Sequence, residues 1–386
     1  MSKKQSIIIY RDHLLPASET FVRAQAEALQ HFTPYYVGSR LVQGLPVPKE
    51  RTLVINRGHR LLGKANEYSF KLWGFAPTFF QQVRNLNPEI IHAHFGSDGA
   101  LALPLARNLR VPLLITFHGF DAAGKDEYAR RSFYSHQLYL RRRELLKHET
   151  QMFIAVSEFI KKKLLEQDFP PEKIVVHYIG IDTELFRPNP VVVREPIVLF
   201  VGRLTEKKGC EYLIRAMKGV QAAMPEVELV VIGEGLLRPS LERLAGEMLR
   251  RYRFLGVQPP ESVRAWMNRA KVFCVPSVTA ESGDSEGFGM VFAEAQAIGL
   301  PVVSFASGGI LEAVKHGETG FLVTERKWEE LTMHILLLLE EEILWHCFSE
   351  NGQHRVHTLF NLHKQTSVLE NLYQQILNPK GEFSLL

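Results

Sequence analysis

With 386 residues the chain is too long for one ordinary hydrophobic core, so two domains are expected. A hydrophobic content of 46% and a charged content of 23% are typical of globular proteins and exclude a disordered chain. Residues 1–186 contain 25 Lys and Arg against 18 Asp and Glu, whereas the remainder contains 21 against 24, so the first half is the basic one.

Targeting and membrane-spanning segments are not expected. The apolar run at residues 7–9 is far shorter than that of a signal peptide, and the run at 335–339 is closed by three glutamates. The cysteines are few and lack the C-x-x-C spacing of a zinc site: Cys210, Cys274 and Cys347. This usage indicates a reducing compartment, and the cytoplasm is expected.

In the first half, short apolar runs alternate with helical patterns. The runs predict buried strands at residues 6–10, 90–93, 113–117 and 152–156. Helices are predicted between them at 19–29, 97–107 and 158–166. This alternation is typical of a doubly wound α/β domain with a parallel sheet.

A second series of the same kind follows. Its predicted strands lie at residues 197–201, 228–232, 252–255, 272–275 and 301–305. The proline-marked connection at 186–190 predicts a hinge, so the domains are expected at 1–186 and 187–386. Helices are predicted at 328–346 and 354–377, and the last of them is expected to cross back to the first domain.

Histidines follow two strands of the first domain. His118 comes at the carboxyl end of strand 113–117, where it could donate a hydrogen bond to a sugar hydroxyl or a phosphate, although a purely structural histidine is the more common case. His92 and His94 are expected to point to opposite faces of their strand and therefore not to share a metal ion. No metal site is predicted.

A polar loop precedes the first predicted helix. Ser18 is expected to be its N-cap, which would explain this residue without a function. Because the loop would border a cleft between the two domains, Ser18, Glu19 and Thr20 are also candidates for contact with an acceptor or a phosphate.

Glycine-containing loops follow the strands of the second domain. Arg203 and Lys208 stand five residues apart in the first loop, where a guanidinium and an ammonium could hold a diphosphate. Gly233 in the next loop could let a ligand approach, or could serve only a tight turn. The exposed backbone near Val257 could contact the edge of a base.

The segment 276–299 is the one around which the second domain is organised. Gly287 and Gly289 precede a helix, so backbone N–H groups near its start can face an anion. Glu286 and Glu294 stand eight residues apart and can reach two ends of an elongated ligand. Alone, such a turn is more often a packing device.

Two basic runs lie at residues 139–147 and 161–163. Solvated helix faces are favoured over a membrane-surface patch, although peripheral contact with a membrane through the basic first domain stays open. Nucleic acid is not expected as a partner, since no recognition motif accompanies the charge.

Taken together, the motifs resemble those of family 4 glycosyltransferases, which have the two-domain GT-B fold. The resemblance covers nearly the whole chain and is carried by residues 117–119, 155–158, 180–182, 201–203, 208–209 and 286–294. The last stretch is the Glu-x7-Glu motif of the family. Residues 18–21, 92–96 and 116–122 are similar to those of bacterial exopolysaccharide enzymes of the colanic-acid type. The acidic segment 279–285 departs from the simplest family pattern and is expected to be flexible.

The resemblance implies a retaining transferase that uses a nucleotide-sugar donor, with no cofactor and no metal. It places Arg203 and Lys208 on the donor diphosphate, Glu294 on the ribose and His118 at the donor sugar. Around that sugar and its phosphate it places Glu286 and the backbone of Gly287, Phe288, Gly289, Met290 and Val291. UDP-glucose is the expected donor, and a saccharide or polyprenyl-linked saccharide the expected acceptor.

Two other functions remain open at this point. A nucleotide-sugar epimerase can have the same fold, but it needs a paired acid and base beside the sugar ring, and no convincing second group is found. A non-catalytic nucleotide-sugar-binding protein is the other alternative, although the intact set of charged residues argues against it.

Overall fold

The computed structural model describes residues 4–16, 18–58 and 61–378. The chain divides into two compact units. The first contains the chain up to Gly180 together with the helix that begins at Leu362, and the second is Ile181–Asn361.

The first unit is built on a parallel sheet. Its strands are β1 Gln5–Tyr10, β2 His13–Leu14, β3 Phe32–Leu41, β4 Thr52–Asn56, β5 Pro88–His94, β6 Leu113–Phe117, β7 Met152–Ala155 and β8 Ile174–Val176. The strand order is β2-β3-β1-β5-β6-β7-β8, with β4 paired to β3. The central strands are apolar runs with almost no exposed surface, such as Ile7 to Tyr10 in β1, because helices cover the sheet.

Helices follow most of these strands. They are α1 Thr20–Glu27, α2 Leu61–Trp73, α3 Pro77–Arg84, α4 Gly96–Leu109, α5 Phe120–Ala123, α6 Asp126–Arg130, α7 Tyr134–Glu149 and α8 Glu158–Leu165. The Ser157 side chain caps α8 by accepting a hydrogen bond from the Ile160 N–H at 3.1 Å.

The second unit repeats the plan. Its strands are β9 Glu195–Val201, β10 Glu228–Ile232, β11 Tyr252–Phe254, β12 Ala270–Cys274, β13 Val302–Phe305 and β14 Gly320–Val323, in the order β11-β10-β9-β12-β13-β14. Its helices are α9 Cys210–Ala223, α10 Arg238–Met248, α11 Pro260–Arg269, α12 Met290–Ala297, α13 Ile310–Ala313, α14 Trp328–Glu340 and α15 Glu342–Leu359. The prediction of two doubly wound parallel sheets is confirmed.

Arg194 fixes two helix ends of the second unit. Its guanidinium donates to the carbonyls of Met267 and Ala270 at the end of α11, at 2.9 and 2.7 Å. It also donates to those of Ile298 and Gly299 after α12, at 2.8 and 3.3 Å. Half-buried Arg194 thus satisfies carbonyls that a helix end leaves without partners.

The chain end differs from the sequence-based expectation. The helix expected at 354–377 is two helices, because α15 ends at Leu359 and α16 begins at Leu362 and runs to Leu377. The break coincides with the unit boundary, since α15 belongs to the second unit and α16 to the first. The other boundary lies after Gly180, earlier than the expected one after 186.

The sequence patterns missed part of the first sheet. No strand is predicted between residues 29 and 90, yet β3 and β4 lie there. Pro34 within β3 weakens the signal, because proline lacks the N–H group that a strand ladder uses. The alternating burial of β4 over only five residues is a weak pattern as well.

Candidate functional site

The sheet of the second unit has a topological switch point beside β9. This strand comes first in the chain of that sheet but lies between β10 and β12. The loops that follow β9 and β12 therefore lead to helices on opposite faces, which leaves a crevice at the carboxyl end of the sheet. Residues 202–209 and 275–289 form these two loops.

Neighbouring loops at this edge are tied by backbone hydrogen bonds. The Gly202 N–H, after β9, donates to the Ile232 carbonyl at the end of β10 at 3.0 Å, and the Gly233 N–H, after β10, donates to the Gly256 carbonyl after β11 at 2.9 Å. The Val278 N–H, after β12, donates to the Lys207 carbonyl after β9 at 2.8 Å, and the Gly309 N–H, after β13, donates to the Glu286 carbonyl after β12 at 2.8 Å. The edge is therefore a connected backbone layer.

Two glycines of this layer cannot be replaced without displacing backbone. A Cβ atom on Gly309 would lie 2.0 Å from the Gly287 carbonyl oxygen. A Cβ on Gly233 would lie 1.9 Å from the Gly202 carbonyl oxygen, and its φ of +141° is itself unfavourable for other residues. The sequence left open whether Gly233 serves a tight turn or ligand approach, and this contact supports the tight turn.

Lys208 and Glu286 form an ion pair across the switch point. The Nζ atom of Lys208 lies 2.5 Å from a carboxylate oxygen of Glu286, and both side chains are mostly buried. Lys208 ends a short 3-10 turn, Glu206–Lys208. Burial would raise the pKa of Glu286, but the charge of Lys208, followed by that of Lys207, lowers it to about 2. Glu286 is therefore ionised at neutral pH.

The amino end of α12 lies directly after this pair in the chain. Gly289 precedes the helix in a left-handed conformation with a φ of +83°. The helix has no acidic residue in its first turn and no side-chain cap. Its first N–H groups, from Met290 onward, have no acceptors within the helix and carry its positive dipole end.

Glu294 lies one turn further along α12 and is partly buried. Burial raises its pKa to about 7, although the positive charges of Arg264 and Lys208 oppose this. Its pKa therefore differs greatly from that of Glu286, although both carboxylates belong to the same motif.

Two other predicted contacts, Arg203 and Val257, are exposed, and a third, Val291, is partly exposed. The Arg203 guanidinium makes no hydrogen bond or ion pair with the described residues, yet it is close enough to contribute to lowering the pKa of Glu286. Val257 is 73% exposed after β11. Val291 is half-buried in the first turn of α12.

The acidic segment 279–285 is held in place. The Thr279 N–H donates to Glu325 at 3.0 Å, and Lys207 pairs with Asp284 at 3.0 Å. The Ala280 N–H also closes a turn onto the Asp284 carbonyl at 3.0 Å. These bonds attach the segment, which the sequence predicts to be flexible, to the loop after β9 and to the region after β14.

In the first unit, three histidine rings form a stack. The rings of His92 and His94 are 4.5 Å apart and stacked, and those of His94 and His118 are 5.3 Å apart. The expectation that His92 and His94 point to opposite faces is wrong, because residues two apart in a strand share a face. The Nδ1 of His94 lies 3.1 Å from the Nε2 of His118.

His118 keeps one ring nitrogen without a partner. Its Nδ1 atom is buried and makes no hydrogen bond with any residue that the structure describes. Burial lowers the pKa of His118 well below its usual value, so the ring is neutral at physiological pH. Such an orphaned polar atom at the end of β6 is suited to a ligand hydroxyl.

A buried charge network lies at the switch point of the first sheet, between β1 and β5. Arg11 pairs with both Glu19 and Asp98. Neither Arg11 nor Asp98 is among the predicted site residues, although Arg11 directly follows a predicted strand and strand-end position could have selected it.

The N-terminal loop differs from its prediction. The N-cap of α1 is Glu19 instead of Ser18, and no side chain caps the helix. Glu19 is buried against Arg11, so its carboxylate already has a partner. Ser18 and Thr20 are exposed.

The described residues contain neither a metal-binding cluster nor a membrane-spanning helix. Across residues 4–16, 18–58 and 61–378, no three His, Cys, Asp or Glu side chains are grouped so that they could hold a metal ion. No helix in this part of the chain is long and apolar enough to cross a membrane.

Comparison with known proteins identifies the family. Residues 182–355 match the glycosyl transferases group 1, and residues 19–185 match glycosyltransferase family 4. AmsK of Erwinia amylovora, an amylovoran biosynthesis glycosyltransferase, is 32% identical over 282 residues, which are 71% of this chain and 67% of AmsK. The chain belongs to glycosyltransferase family 4. The predicted resemblance is thereby confirmed.

Other relatives of this glycosyltransferase fit the same group. WcaL of Salmonella typhimurium, named for colanic acid biosynthesis, is 31% identical over 257 residues, or 64% of this chain and 60% of WcaL. Among solved structures, HepE of Anabaena with UDP-glucose has a TM-score of 0.76 at 20% identity, covering 96% of this chain and 99% of HepE. Sucrose-phosphate synthase of Thermosynechococcus elongatus has a TM-score of 0.76 at 22% identity, covering 98% and 100%. These structures confirm the GT-B fold.

Proposed function

We propose that this glycosyltransferase moves a hexose from a nucleoside diphosphate sugar, with retention of configuration, to a saccharide or lipid-linked saccharide in exopolysaccharide biosynthesis. UDP-glucose is the proposed donor. The observation that carries the proposal is the Lys208–Glu286 ion pair beside the amino end of α12, with the unpaired guanidinium of Arg203 nearby.

The charges match a diphosphate. A leaving nucleoside diphosphate develops negative charge, which cations and helix amino ends stabilise when they are already in position. Lys208, Arg203 and the first N–H groups of α12 supply three such elements, so no metal ion is needed in the proposal. A bound diphosphate would compete with Glu286 for Lys208, and the freed carboxylate could then accept hydrogen bonds from hydroxyls of the donor sugar.

The low pKa of Glu286 bears on the mechanism. As long as Lys208 stays beside it, the Glu286 carboxylate has a pKa of about 2 and is a poor proton acceptor at neutral pH, because general bases work best near the operating pH. This favours a reaction in which the leaving phosphate takes the acceptor's proton on the same face as the attack. Glu286 is then a binding group for the sugar instead of a base.

Glu294 and His118 take the remaining polar roles in the proposal. Glu294, eight residues after Glu286, would accept hydrogen bonds from the ribose hydroxyls. Neutral His118, with its unpartnered Nδ1 atom, would contact the donor sugar. Gly233 would keep the layer below the nucleotide flat, and the backbone near Val257 would contact the base.

The names of the relatives suggest which donor and acceptor to propose. HepE was solved with UDP-glucose, which supports that donor. AmsK and WcaL are named for exopolysaccharides, which supports a saccharide acceptor, on a polyprenyl diphosphate in our proposal, at the cytoplasmic face of the membrane. Family membership favours transfer over the epimerase alternative.

The test is transfer itself. UDP-, GDP- and ADP-sugars are incubated with and without a lipid-linked saccharide, and both released nucleotide and sugar products are measured. We expect nucleotide release that requires the acceptor, and greatest with UDP-glucose. An epimeric nucleotide-sugar as the product would replace the proposal by the epimerase, and binding without turnover on any acceptor would replace it by a sensor.

Two neighbouring lysines provide a test variant and its matched control. Lys208→Met should lower turnover by about 100- to 1,000-fold, the usual loss of one charge-stabilising donor. Lys207→Met removes a neighbouring ammonium that pairs with Asp284 instead of Glu286, and should cost much less. Equal losses in the two variants would contradict the assignment of Lys208 to the diphosphate.

A further inference from the structure

Helix α2 of the first unit exposes its large apolar side chains to solvent and turns charged side chains inward. Its exposed side carries Leu61, at 86% exposure, and Trp73, at 75%, together with Leu62, Tyr68 and Leu72. Residues 61, 65, 68 and 72 follow the helical spacing of one face, and 62 and 73 flank it. After the helix, Phe75 is exposed as well. Large apolar side chains thus line the solvent side over nearly the whole helix.

The inner side of α2 is charged. Glu67 is buried and accepts from the Asn56 side chain at 2.9 Å. Lys71 lies 2.9 Å from both Glu67 and Asp12. Phe70 is the one fully buried apolar side chain in the described helix. Salt bridges therefore fix the orientation of α2 with its apolar face outward.

The apolar face continues beyond α2. The hydroxyl of Tyr134, the first residue of α7, donates to the Lys71 carbonyl at 3.3 Å. This bond holds the start of α7 against the last turn of α2. Phe133, directly before Tyr134, is 78% exposed. We name the surface formed by residues 61–75 and Phe133 the α2 face.

Exposed positive charges outnumber exposed acids in the two chain segments that form the α2 face. In the described parts of segments 57–75 and 125–133, the exposed charged residues are Arg57, Lys64, Lys125, Arg130, Arg131 and one acid, Glu127. A second copy of this chain would bring like charges together, which disfavours a dimer through this face. Exposed Leu, Trp, Tyr and Phe accompanied by Lys and Arg are instead typical of helices that lie in a bilayer interface.

The two basic runs noted in the sequence are less suited to this role. In α7, Arg143 pairs with Asp126 and Lys147 with Glu144. In α8, Lys163 pairs with Glu166. Part of their charge is therefore paired within the protein, so net basicity alone does not point to the docking surface.

We propose that the α2 face docks on the surface of an anionic lipid bilayer. With 13 residues, α2 is too short to span a bilayer and would lie in its plane. The apolar side chains would enter the acyl boundary while the accompanying cations contact lipid headgroups. The docking extends the proposed function, from which it takes the idea of a lipid-linked acceptor, because it would bring the first unit to the membrane that carries it.

The test is vesicle co-sedimentation of the full chain. The vesicles contain phosphatidylglycerol and phosphatidylcholine, or phosphatidylcholine alone. We expect binding to the anionic vesicles that weakens with salt and is at least about tenfold stronger than to the neutral ones. The double variant Leu61→Asp/Leu62→Asp should lower the partition coefficient at least about tenfold, since two apolar anchors are lost.

The matched control is Ile343→Asp, at an 86% exposed position of the second unit. It should bind vesicles as the parent does. In addition, lipids brominated in the acyl chains should quench the parent's tryptophan fluorescence, and Trp73→Phe should remove most of this quenching. Nucleotide binding and the melting temperature, measured on every variant, separate docking from folding and from the proposed function.

Three results would overturn the proposal. The first is absence of parent binding to anionic vesicles at low salt. The second is equal loss of binding in Ile343→Asp and the double variant. The third is a parent dimer in sedimentation that only the double variant dissociates, without vesicle binding by either, which would assign the face to a second copy. Vesicle binding by a protein that fails to bind nucleotide would refute the proposed function alone.

Discussion

Binding of a nucleotide-sugar to this glycosyltransferase should release a proton from Glu294. Burial raises the pKa of that carboxyl to about 7, so in the free protein at pH 7 about half of the molecules carry the proton. The ionised carboxylate can accept from both ribose hydroxyls with its two oxygens, whereas protonation converts one oxygen into a donor, so nucleotide binding favours the ionised form. The bound state therefore holds fewer protons than the free state, and affinity falls as the pH falls.

The size of the effect follows from the pKa. Proton release should be about 0.9 at pH 6, about 0.5 at pH 7 and about 0.1 at pH 8, if the bound carboxylate stays ionised. The apparent dissociation constant should rise about tenfold from pH 8 to pH 6. UDP-glucose is the suitable ligand, because its diphosphate is a diester and does not titrate in this range.

Calorimetry in buffers with different ionisation enthalpies measures the released protons directly. The control is Glu294→Gln, which keeps the shape and can still hydrogen-bond but cannot titrate. It should remove the release of protons between pH 6 and 8 and leave the affinity nearly independent of pH. Equal proton release by Glu294→Gln and the parent at pH 6 would refute the assignment of Glu294 to the ribose.

Three further outcomes are expected. Gly309→Ala should weaken UDP-glucose binding at least about tenfold in calorimetry, because its Cβ must displace the Gly287 carbonyl, and unchanged affinity would show that the loop layer can yield. Arg194→Met should lower the unfolding free energy by about 2 to 4 kcal/mol in urea titration, since four carbonyls lose their donor, whereas exposed Arg215→Met should cost under about 0.5 kcal/mol; similar costs would contradict the capping role. His118→Asn should reduce kcat about 100-fold without changing the pH–rate profile between pH 6 and 8, because the ring is already neutral there, and a profile altered in that range would contradict this reasoning.

The strands that the sequence predicts well are those buried on both faces. In β1, the four apolar residues from Ile7 to Tyr10 have almost no exposed surface, and β6 is buried throughout with Thr116 as its single polar residue. Such short buried runs leave few alternatives to a strand. The break between α15 and α16 has no glycine or proline to mark it. It depends on tertiary contacts, such as the bond from the Ile181 N–H to the Phe360 carbonyl at 2.6 Å, which no local pattern contains.

For the candidate site, the loops that form it could be predicted from the sequence, but the ion pairs between their side chains could not. Strand-end position selected both Lys208 and Glu286, 78 residues apart. That they pair, and that Glu286 and Glu294 differ so much in pKa, depends on burial and on neighbouring charges. The pairing of Arg11 with Asp98 likewise depends on tertiary contact between separate elements, although strand-end position alone could have selected Arg11.

The return of α16 to the first unit has a consequence during synthesis. The Tyr373 hydroxyl lies 2.7 Å from Nδ1 of His92, within hydrogen-bond distance, and Leu369 and Leu372 pack in the same core as Tyr373. When the ribosome has synthesised the chain up to Asn361, the second unit is complete, but the first unit still lacks α16. The second unit can therefore fold before the first, although most of the first unit is synthesised earlier. A chain truncated at 361 would expose the apolar surroundings of the histidine stack to water.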